Sequence, residues 1–339
     1  MHHFRFSQET PQDVSEHGLR IRASKSNFPA LQNMSLYKLV LNAQSVREPH
    51  WHANADELGY CCKGEVLVSF YGNGNEKDAF IVNKGQAFFI PSGSLHSLEN
   101  IGSEPAELIL QFSNEEPEDF GLSSVFSMFS DAVLGNTWGM PASYFSGLKR
   151  SPEDVFIAKL KTPTEIHNYE KYSSKYQYSL EESPPLVVNG GGSAKIARQN
   201  VWPVLRRQAL YSLSLTNKGM REPHWHPETA ELGYVTVGKG RMSIFSPAGK
   251  IDTYIMEAGD IYFIPKAYPH HIENLGNDAL QILIFFDQPM PQDIGFTGSV
   301  KSNSDEVLGA LFNTSPEFFQ KLPRHFEDLF IADRINPVD

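Results

Sequence analysis

The chain has 339 residues, a formal net charge of −11 and a composition that is 40% hydrophobic and 20% charged. These values exclude a largely disordered chain, and the length favours two domains, because a single hydrophobic core rarely grows so large. The acidic balance argues against a nucleic acid or an anionic membrane as partner, since both attract clustered Lys and Arg. The opening residues lack the apolar run of a signal peptide and no stretch is long enough to span a bilayer, so we expect a cytoplasmic protein.

Most of the sequence consists of one unit written twice. A constant offset of 174 residues aligns Arg47 with Arg221, and the match extends over residues 18–148 and 192–322. Such an offset over so many positions indicates two copies of one domain. We therefore predict an N-terminal domain, a connecting arm and a C-terminal domain at residues 1–148, 149–191 and 192–339.

In chain order, each copy begins with strands and ends with short helices. Segments such as EVLVSFYG, AFFIPSG and AELILQF lie between Gly, Asn and Pro turns, which is typical of a sandwich or barrel. SDAVLGNTW and SDEVLGALF begin with capping residues, and SPEFFQKL adds Ser315 as N-cap before Pro316. Such helices favour packing on their own barrel, with another subunit as the alternative, and we expect a homo-oligomer. The arm between the copies is rich in Pro, Ser and Gly and is expected to run over the surface.

The only cysteines, Cys61 and Cys62, are neighbours on a predicted strand. Adjacent strand residues point to opposite faces, so a structural disulfide between them is not expected. We predict that both are reduced and lie in or near the core.

Metal-ligand side chains recur inside the repeat, in REPHWHANADELGY and REPHWHPETAELGY. Along a strand His50 and His52 share one face while Trp51 points the other way, so two imidazoles can reach one ion. The turn-like ANAD segment can bring Glu57 to the same interior, and a later strand supplies His96. The second copy repeats the set as His224, His226, Glu231 and His270.

Three neutral imidazoles and one carboxylate leave up to two positions open on an octahedral ion. This mixed nitrogen and oxygen set suits Mn, Fe, Co or Ni better than Ca. A single His-x-His pair would be weak evidence, because paired histidines often lie on surfaces. The whole set at one spacing in both copies predicts two metal sites per chain.

HWHANADE and HWHPETAE, together with GQAFFIPSGSLHSLEN and GDIYFIPKAYPHHIEN, resemble the two motifs of the cupin superfamily in a two-cupin chain. The manganese-dependent oxalate decarboxylases share the Arg-Glu-x-His-Trp-His pattern. The resemblance implies an all-β fold of two tandem double-stranded β-helix, or jelly-roll, barrels. It also implies two Mn²⁺ ions per chain, with Fe²⁺, Co²⁺ or Ni²⁺ as alternatives, and the use of dioxygen. The implied metal ligands are His50, His52, Glu57, His96, His224, His226, Glu231 and His270.

The same resemblance assigns Arg47 and Arg221 to a substrate carboxylate. A guanidinium beside an open metal position can pair with one carboxylate while the metal takes another oxygen. The alternative is a surface salt bridge with Glu48 or Glu222. Regular strand parity also speaks against Arg47, because it lies three residues before His50 and would point away from the metal.

The sequence departs from the decarboxylases after the last strand of the first barrel. There the family carries a mobile Ser-Glu-Asn-Ser/Thr loop whose Glu handles a proton, whereas this chain has FSNEEPEDFG. Glu115, Glu116 and Glu118 are therefore the candidate catalytic acids, with a solvated acidic turn as the alternative. A second glutamate of the family is replaced by Ile284.

The leading hypothesis is a bicupin enzyme acting on a small carboxylate, most specifically the decarboxylation of oxalate to formate and carbon dioxide. An oxalate oxidase, another cupin oxygenase or isomerase, and a non-catalytic storage or binding bicupin are the alternatives. Complete ligand sets in both copies speak against storage. Pro289 and Pro291 restrict the loop of the second copy, so we predict that the first site is catalytic and the second structural or auxiliary.

Overall fold

The computed structural model describes residues 2–165, 173–323, 325 and 327–337. Part of the predicted arm, residues 166–172, lies outside the described residues. The chain forms two compact units, of which one is Thr10–Ser179 and the other combines Met1–Glu9 with Leu180–Asp339.

Strands carry most of the regular structure. In chain order, those up to residue 178 are β1 His3–Phe4, β2 Asp13–Ser15, β3 Gly18–Ala23, β4 Ser35–Leu41, β5 Ser45–His52, β6 Glu57–Lys63, β7 Glu65–Tyr71, β8 Lys77–Asn83, β9 Ala87–Ile90, β10 Leu95–Asn100, β11 Ala106–Phe112, β12 Asp119–Gly121, β13 Ile157–Lys159 and β14 Gln177–Tyr178. The later strands are β15 Val187–Asn189, β16 Gly192–Ala197, β17 Ala209–Leu215, β18 Gly219–Trp225, β19 Glu231–Val237, β20 Lys239–Phe245, β21 Ile251–Glu257, β22 Ile261–Ile264, β23 His270–Asn274, β24 Leu280–Phe286, β25 Ile294–Gly295 and β26 Ile331–Asp333. The α-helices of the described residues are α1 Leu122–Val125, α2 Asp131–Trp138, α3 Phe296–Val300, α4 Asp305–Phe312 and α5 Pro316–Gln320. Short 3-10 turns lie at Phe6–Gln8, Asn73–Asn75, Phe126–Met128 and Ala142–Phe145.

Each unit contains two antiparallel sheets within the described part of the chain. In the first unit the strand orders are β14-β9-β6-β11-β4-β3-β2 and β12-β5-β10-β7-β8, with β13 paired to β5. In the second unit they are β1-β22-β19-β24-β17-β16-β15 and β21-β20-β23-β18-β25, with β26 paired to β18. Apolar side chains of β17, β20, β23 and β24 join one buried cluster, so the core of the second unit lies between its sheets. The prediction of an all-β fold is confirmed.

The edge strand β1 precedes the first repeat but belongs to the second unit. The edge strand β14 precedes the second repeat but belongs to the first unit. His3 of β1 pairs with Tyr262 in the second unit, and Gln177 of β14 pairs with Phe88 in the first. The predicted arm is therefore more than a surface connection: its strand β13 pairs with β5, and Ile157 is buried. Most of the described residues of the arm are exposed, but the backbone of these stretches also extends the sheets.

The predicted helix starts lie where expected. Ser130 and Ser304 are N-caps of α2 and α4, and each side chain accepts a hydrogen bond from a backbone N–H inside its helix. Ser315 is the N-cap of α5, with Pro316 in the first turn, although its side chain makes no capping bond. Both cysteines are free thiols, Cys61 buried and Cys62 half-buried.

The described residues contain no helix that is both long and apolar enough to cross a membrane.

Candidate metal centres

Each unit buries one cluster of three histidines and a glutamate between its sheets. In both clusters the side chains are buried, and the potential ligand atoms all lie within 4.8 Å of one another. The first cluster is His50, His52, Glu57 and His96, and the second is His224, His226, Glu231 and His270. The predicted residues are therefore brought together in both copies.

Strand alternation and pairing position the first cluster. His50 and His52 share the buried face of β5, whereas Trp51 faces the other way and stacks on Phe120 at a ring separation of 5.6 Å. His96 on β10 lies directly opposite His50 in the sheet. The second copy reproduces this pairing between His224 and His270.

Main-chain carbonyl groups orient two imidazoles of the first cluster and three of the second, where His226 Nδ1 lies 3.1 Å from the carbonyl oxygen of Gln292. His50 Nδ1 lies 2.8 Å from the carbonyl oxygen of Glu48, and His96 Nδ1 lies 3.0 Å from that of Ser94. A carbonyl accepts only, so each Nδ1 carries the proton and each Nε2 presents its lone pair to the cluster. The corresponding pairs of the second copy are His224 with Glu222 and His270 with Tyr268.

Asp119 connects the third imidazole of the first cluster to two arginines. Its Oδ1 lies 3.1 Å from His52 Nδ1, which is an ion-pair distance. The angle between the two groups is not that of a hydrogen bond. Its Oδ2 accepts hydrogen bonds from Arg47 at 3.0 Å and from Arg20 at 2.7 Å. The predicted substrate arginine and a predicted metal ligand thus share one carboxylate, which sequence reasoning did not identify.

Asp293 forms a similar bridge in the second copy. Its Oδ1 lies 2.8 Å from His226 Nδ1, and its Oδ2 accepts a hydrogen bond from Arg221. At the position matching Arg20 the second copy has Ala194, which lines a small cavity beside the metal cluster. Among the described contacts, two guanidinium groups bind the bridging aspartate of the first centre and one binds that of the second.

The strand parity expected for Arg47 is wrong, because β5 contains a bulge. The pairing with β10 shifts register, so that His96 lies opposite His50 but Leu98 lies opposite Arg47. The extra residue of β5 falls beside Pro49, which has no N–H to donate to the ladder. As a result Arg47 is on the buried face, with only 2% of its surface exposed.

Arg47 is held by groups other than Glu48. Its guanidinium lies over the Phe156 ring, 4.3 Å from the ring centroid. The Glu48 carboxylate instead accepts backbone N–H bonds from Ser123 at 2.9 Å and Phe156 at 2.6 Å. Phe156 has a left-handed φ of 66°, which is uncommon for a bulky residue, and these contacts hold it there. The proposed surface salt bridge between Arg47 and Glu48 is thus replaced by a buried aromatic and carboxylate setting.

The charge states suit metal binding. Burial raises the pKa of Glu57, but hydrogen bonding to His52 and His96 outweighs burial and lowers that pKa to about 2. Burial lowers the pKa of His52, whereas Asp119 and Glu57 outweigh it and raise the pKa to about 9. Burial also lowers the pKa of His50 well below its ordinary value. At neutral pH Glu57 is ionised and His50 is neutral, and a metal must displace a proton from His52.

The loop acids predicted as catalytic groups have other contacts. Glu115 accepts a hydrogen bond of 2.8 Å from the Asn33 backbone N–H. Glu116 accepts bonds from Ser24 Oγ at 3.0 Å and from the Ser26 N–H at 2.6 Å. These bonds fasten the loop to residues 24–33.

The exposed Glu118 belongs to the same loop, and its backbone N–H donates to Asn54 Oδ1 at 2.9 Å. None of these three glutamates belongs to a described metal cluster. A catalytic role for Glu115, Glu116 and Glu118 stays a prediction.

The ligands of the second centre line a cavity of about 10 Å³, which is about the smallest space that holds one water molecule. Its walls include Arg221, His224, Ala194 and Ile284. The mostly apolar lining gives a carboxylate few partners besides Arg221. This space is small for a two-carboxylate substrate, which needs several polar partners.

A profile of the cupin family matches residues 4–143 and 178–320, which together make up most of the chain. The chain belongs to the cupin family. Because the family region occurs twice, this cupin is a bicupin, and each matched region contains one His and Glu cluster. The predicted resemblance is confirmed.

Relatives of this cupin include oxalate-degrading enzymes. Oxalate decarboxylase OxdC of Bacillus subtilis (strain 168) is 27% identical over 342 residues, which cover 99% of this chain and 86% of the relative. Oxalate oxidase GF-2.8 of Triticum aestivum is 36% identical over 72 residues, 20% of this chain and 32% of the oxidase. This cupin is thus related over its full length to an oxalate decarboxylase.

Solved structures show the same fold. A structure of the Bacillus subtilis oxalate decarboxylase superposes with a TM-score of 0.88 at 24% identity and covers 98% of this chain and 88% of that chain. Another structure of that enzyme accompanies the assignment of its Mn(II) centres by EPR. The predicted fold of two cupin barrels with short helices is confirmed.

The donor set of this cupin fits a first-row metal ion. Glu57 Oε1 and His270 Nε2 are buried atoms without a hydrogen-bond partner among the described residues. Buried polar atoms of this kind call for a ligand. Three Nε2 atoms and a carboxylate within 4.8 Å supply the nitrogen and oxygen donors that Mn, Fe, Co and Ni accept. The chain therefore has two metal-binding sites of one composition.

Proposed function

We propose that this cupin is a metal-dependent enzyme acting on a small carboxylate, and that its first centre converts oxalate to formate and carbon dioxide. The contact network of Asp119 carries the proposal, because it joins the metal-ligand His52 to the guanidinium groups of Arg47 and Arg20. Guanidinium groups that can bind an anion and a carboxyl group that can transfer a proton thus lie beside a candidate metal site. The full-length relationship to an oxalate decarboxylase supports the same substrate.

We propose Mn²⁺ for both centres, with Fe²⁺, Co²⁺ or Ni²⁺ as alternatives that the same donors accept. His50, His52, Glu57 and His96 would hold the first ion, and the matching second set would hold the other. When bound, the ion supplies Lewis acidity toward a carboxylate oxygen and a fixed point for orienting the substrate. The family resemblance adds dioxygen as a proposed cofactor.

The reaction sets two demands on the residues of the chain. The C–C bond of oxalate breaks, one half leaves as carbon dioxide, and the other gains a proton on carbon to become formate, with no net oxidation. Arg47 would bind a substrate carboxylate, as predicted from the sequence, and an acid must deliver the proton. We assign that role to Asp119 ahead of Glu115, Glu116 and Glu118, because Asp119 contacts both Arg47 and His52.

One event could meet both demands. The ionised Asp119 carboxylate accepts a hydrogen bond of 3.0 Å from Arg47 Nη2. Burial raises the pKa of Asp119, but the contact with His52 and the charge of Arg47 outweigh burial and hold that pKa well below its ordinary value, so Asp119 is ionised at rest. A substrate carboxylate that takes the place of Asp119 on Arg47 would weaken this ion pair, because the attraction is electrostatic, and would let Asp119 take up the proton that formate requires.

The second centre would be structural or auxiliary. Arg221 would be its carboxylate-binding group, but the adjoining cavity of about 10 Å³ leaves little room for oxalate. Ala194 replaces the second arginine found in the first centre. The additional arginine favours turnover at the first centre.

An oxalate oxidase is the second candidate, favoured by the local match to the wheat enzyme. Oxidation would take both carbons to carbon dioxide while dioxygen gains two electrons and two protons to form hydrogen peroxide. The two reactions therefore differ in their products.

The test is to incubate the manganese-loaded chain with oxalate under air and to measure formate, carbon dioxide and hydrogen peroxide. Decarboxylation yields formate and carbon dioxide in equal amounts, and metal-free protein serves as the control. Peroxide without formate would replace the proposal by the oxidase. A fully loaded protein that leaves oxalate unchanged would overturn both and point to another acid.

We further propose that the chain forms a homo-oligomer through its helices. Trp138 of α2 is 56% exposed, and Leu311 and Phe312 of α4 are 71% and 66% exposed. Each of these helices thus exposes large apolar side chains, and exposed apolar surface marks sites of protein association.

A further inference from the structure

The two centres differ at the glutamate oxygen that faces away from the histidines. In the second centre, Glu231 Oε2 lies 2.8 Å from His226 Nε2, and Glu231 Oε1 accepts a hydrogen bond of 2.6 Å from the Tyr262 hydroxyl. In the first centre, Glu57 Oε2 lies 2.9 Å from His52 Nε2, but Glu57 Oε1 has no hydrogen-bond partner among the described residues.

A single aromatic position causes this difference. Tyr262 of β22 lies opposite Gly233 of β19, and at the matching place Phe88 of β9 lies opposite Gly59 of β6. A Cβ at either glycine would come within 2.1 Å of the facing ring. Each ring therefore lies across its glycine, on the strand that bears the metal-ligand glutamate two residues earlier. Both rings occupy the same place, but only the tyrosine has a hydroxyl to donate.

The hydrogen bond lies in a setting where it has large effects. Tyr262 is fully buried and Glu231 is 2% exposed, so water cannot compete for either group. A hydrogen bond is stronger in such low-dielectric surroundings. Donation to Oε1 withdraws charge from the carboxylate and fixes its plane, which leaves Oε2 as the oxygen that faces the histidine nitrogens.

We infer that Tyr262 is a positioning residue for the second metal ion. It holds Glu231 as a ligand through one oxygen, whereas Glu57 is free to offer both of its oxygens. The two ions of one chain consequently differ in affinity and in electronic surroundings, although their ligands are the same residue types. The inference concerns metal binding and does not depend on which acid the enzyme converts.

The test isolates each centre in the full-length chain. His50→Ala with His52→Ala leaves only the second centre, and in this background Tyr262→Phe is compared with Tyr254→Phe. Tyr254 is the matched control, because its buried hydroxyl has no hydrogen-bond partner among the described residues. Mn²⁺ affinity is measured by chelator competition, and the bound Mn(II) is examined by EPR.

Tyr262→Phe should lower the Mn²⁺ affinity roughly 10-fold or more, the range found when such supporting partners are removed. It should also change the EPR spectrum, whereas Tyr254→Phe should change neither. In the opposite background, His224→Ala with His226→Ala, Phe88→Tyr should shift the spectrum of the first centre toward that of the second.

Equal affinity and equal spectra for Tyr262→Phe and Tyr254→Phe would overturn the inference. If Phe88→Tyr does not fold, the comparison of Tyr262→Phe with Tyr254→Phe still shows whether Tyr262 positions the second metal ion. Because the readouts are affinity and EPR, this result is separate from the oxalate assay.

Discussion

At the scale of single residues, Asp119 and Asp293 connect the metal ligands to charged groups around them. Each carboxylate contacts the Nδ1 of a ligand histidine with one oxygen and a buried arginine with the other. The orientation of the ligand histidine and the availability of the arginine for a substrate anion therefore depend on the same carboxylate. Only Asp119 also binds Arg20, which gives the first centre an additional positive charge.

The loop glutamates and Asp119 can be separated by mutation. We predict that Glu115→Gln, Glu116→Gln and Glu118→Gln together reduce kcat on oxalate by less than about 10-fold, since two of these carboxylates bind residues 24–33. Asp119→Asn should reduce kcat by about 10²-fold or more, the range expected for loss of an acid that transfers the proton. Asp293→Asn is the matched control in the second centre.

Metal content is measured in each variant, so that loss of turnover is distinguished from loss of the ion. Full turnover by Asp119→Asn with both metals bound would remove Asp119 from the mechanism. A loss in the triple variant as large as that in Asp119→Asn would return the role to the loop glutamates.

At the scale of elements, irregular strand pairing directs functional side chains to positions that regular strands would not give them. The bulge in β5 turns Arg47 inward, and the short strand β12 aligns Asp119 with His52 across the sheet. The second repeat has the same register shift between Arg221 and His224. Bulges often re-aim side chains beside active sites, and here the bulge sets the position of the predicted substrate arginine.

The N-terminal segment is an element of the second barrel. β1 extends its sheet, His3 pairs with Asp260 at 3.0 Å, and Phe6 is 1% exposed. Deleting residues 1–8 should destabilise this unit by about 3 kcal/mol or more, because the burial of one aromatic side chain alone contributes that much. Calorimetry of the metal-free protein should show a lower transition for the unit Leu180–Asp339 and little change for Thr10–Ser179.

Deletion of residues 335–337 is the control, since Ile335 is 90% exposed and buries little surface. Unchanged melting of both units after removal of residues 1–8 would show that the segment only rests on the barrel.

At the scale of the whole molecule, the repeat makes the fold and the two ligand sets predictable from the sequence. The two ligand sets follow from spacing, because alternation on β5 and β18 and the repeated motif fix which side chains share a face. The offset also aligns Asp119 with Asp293, but their role depends on strand pairing that no local pattern reveals. Regular strand parity spoke against the predicted substrate role of Arg47, because sequence alone did not show the bulge that turns it inward.

The two barrels share a fold and a ligand set and differ in what surrounds the ligands. Arg20 faces Asp119 in one, Ala194 lines a small cavity in the other, and Tyr262 supports only the second glutamate. Such differences between equal repeats allow one centre to turn over substrate while the other supports the structure. Fold alone does not assign function, so the surroundings of each site must decide.

The assignment of turnover to the first centre is tested by formate production from oxalate in the two single-centre chains. His224→Ala with His226→Ala keeps the first centre, and His50→Ala with His52→Ala keeps the second, each with its bound manganese counted. Formate should form at a rate comparable to that of the unmodified chain when the first centre is kept, and not at all when only the second remains. Formate from the second centre alone, with an inactive but metal-loaded first centre, would contradict it.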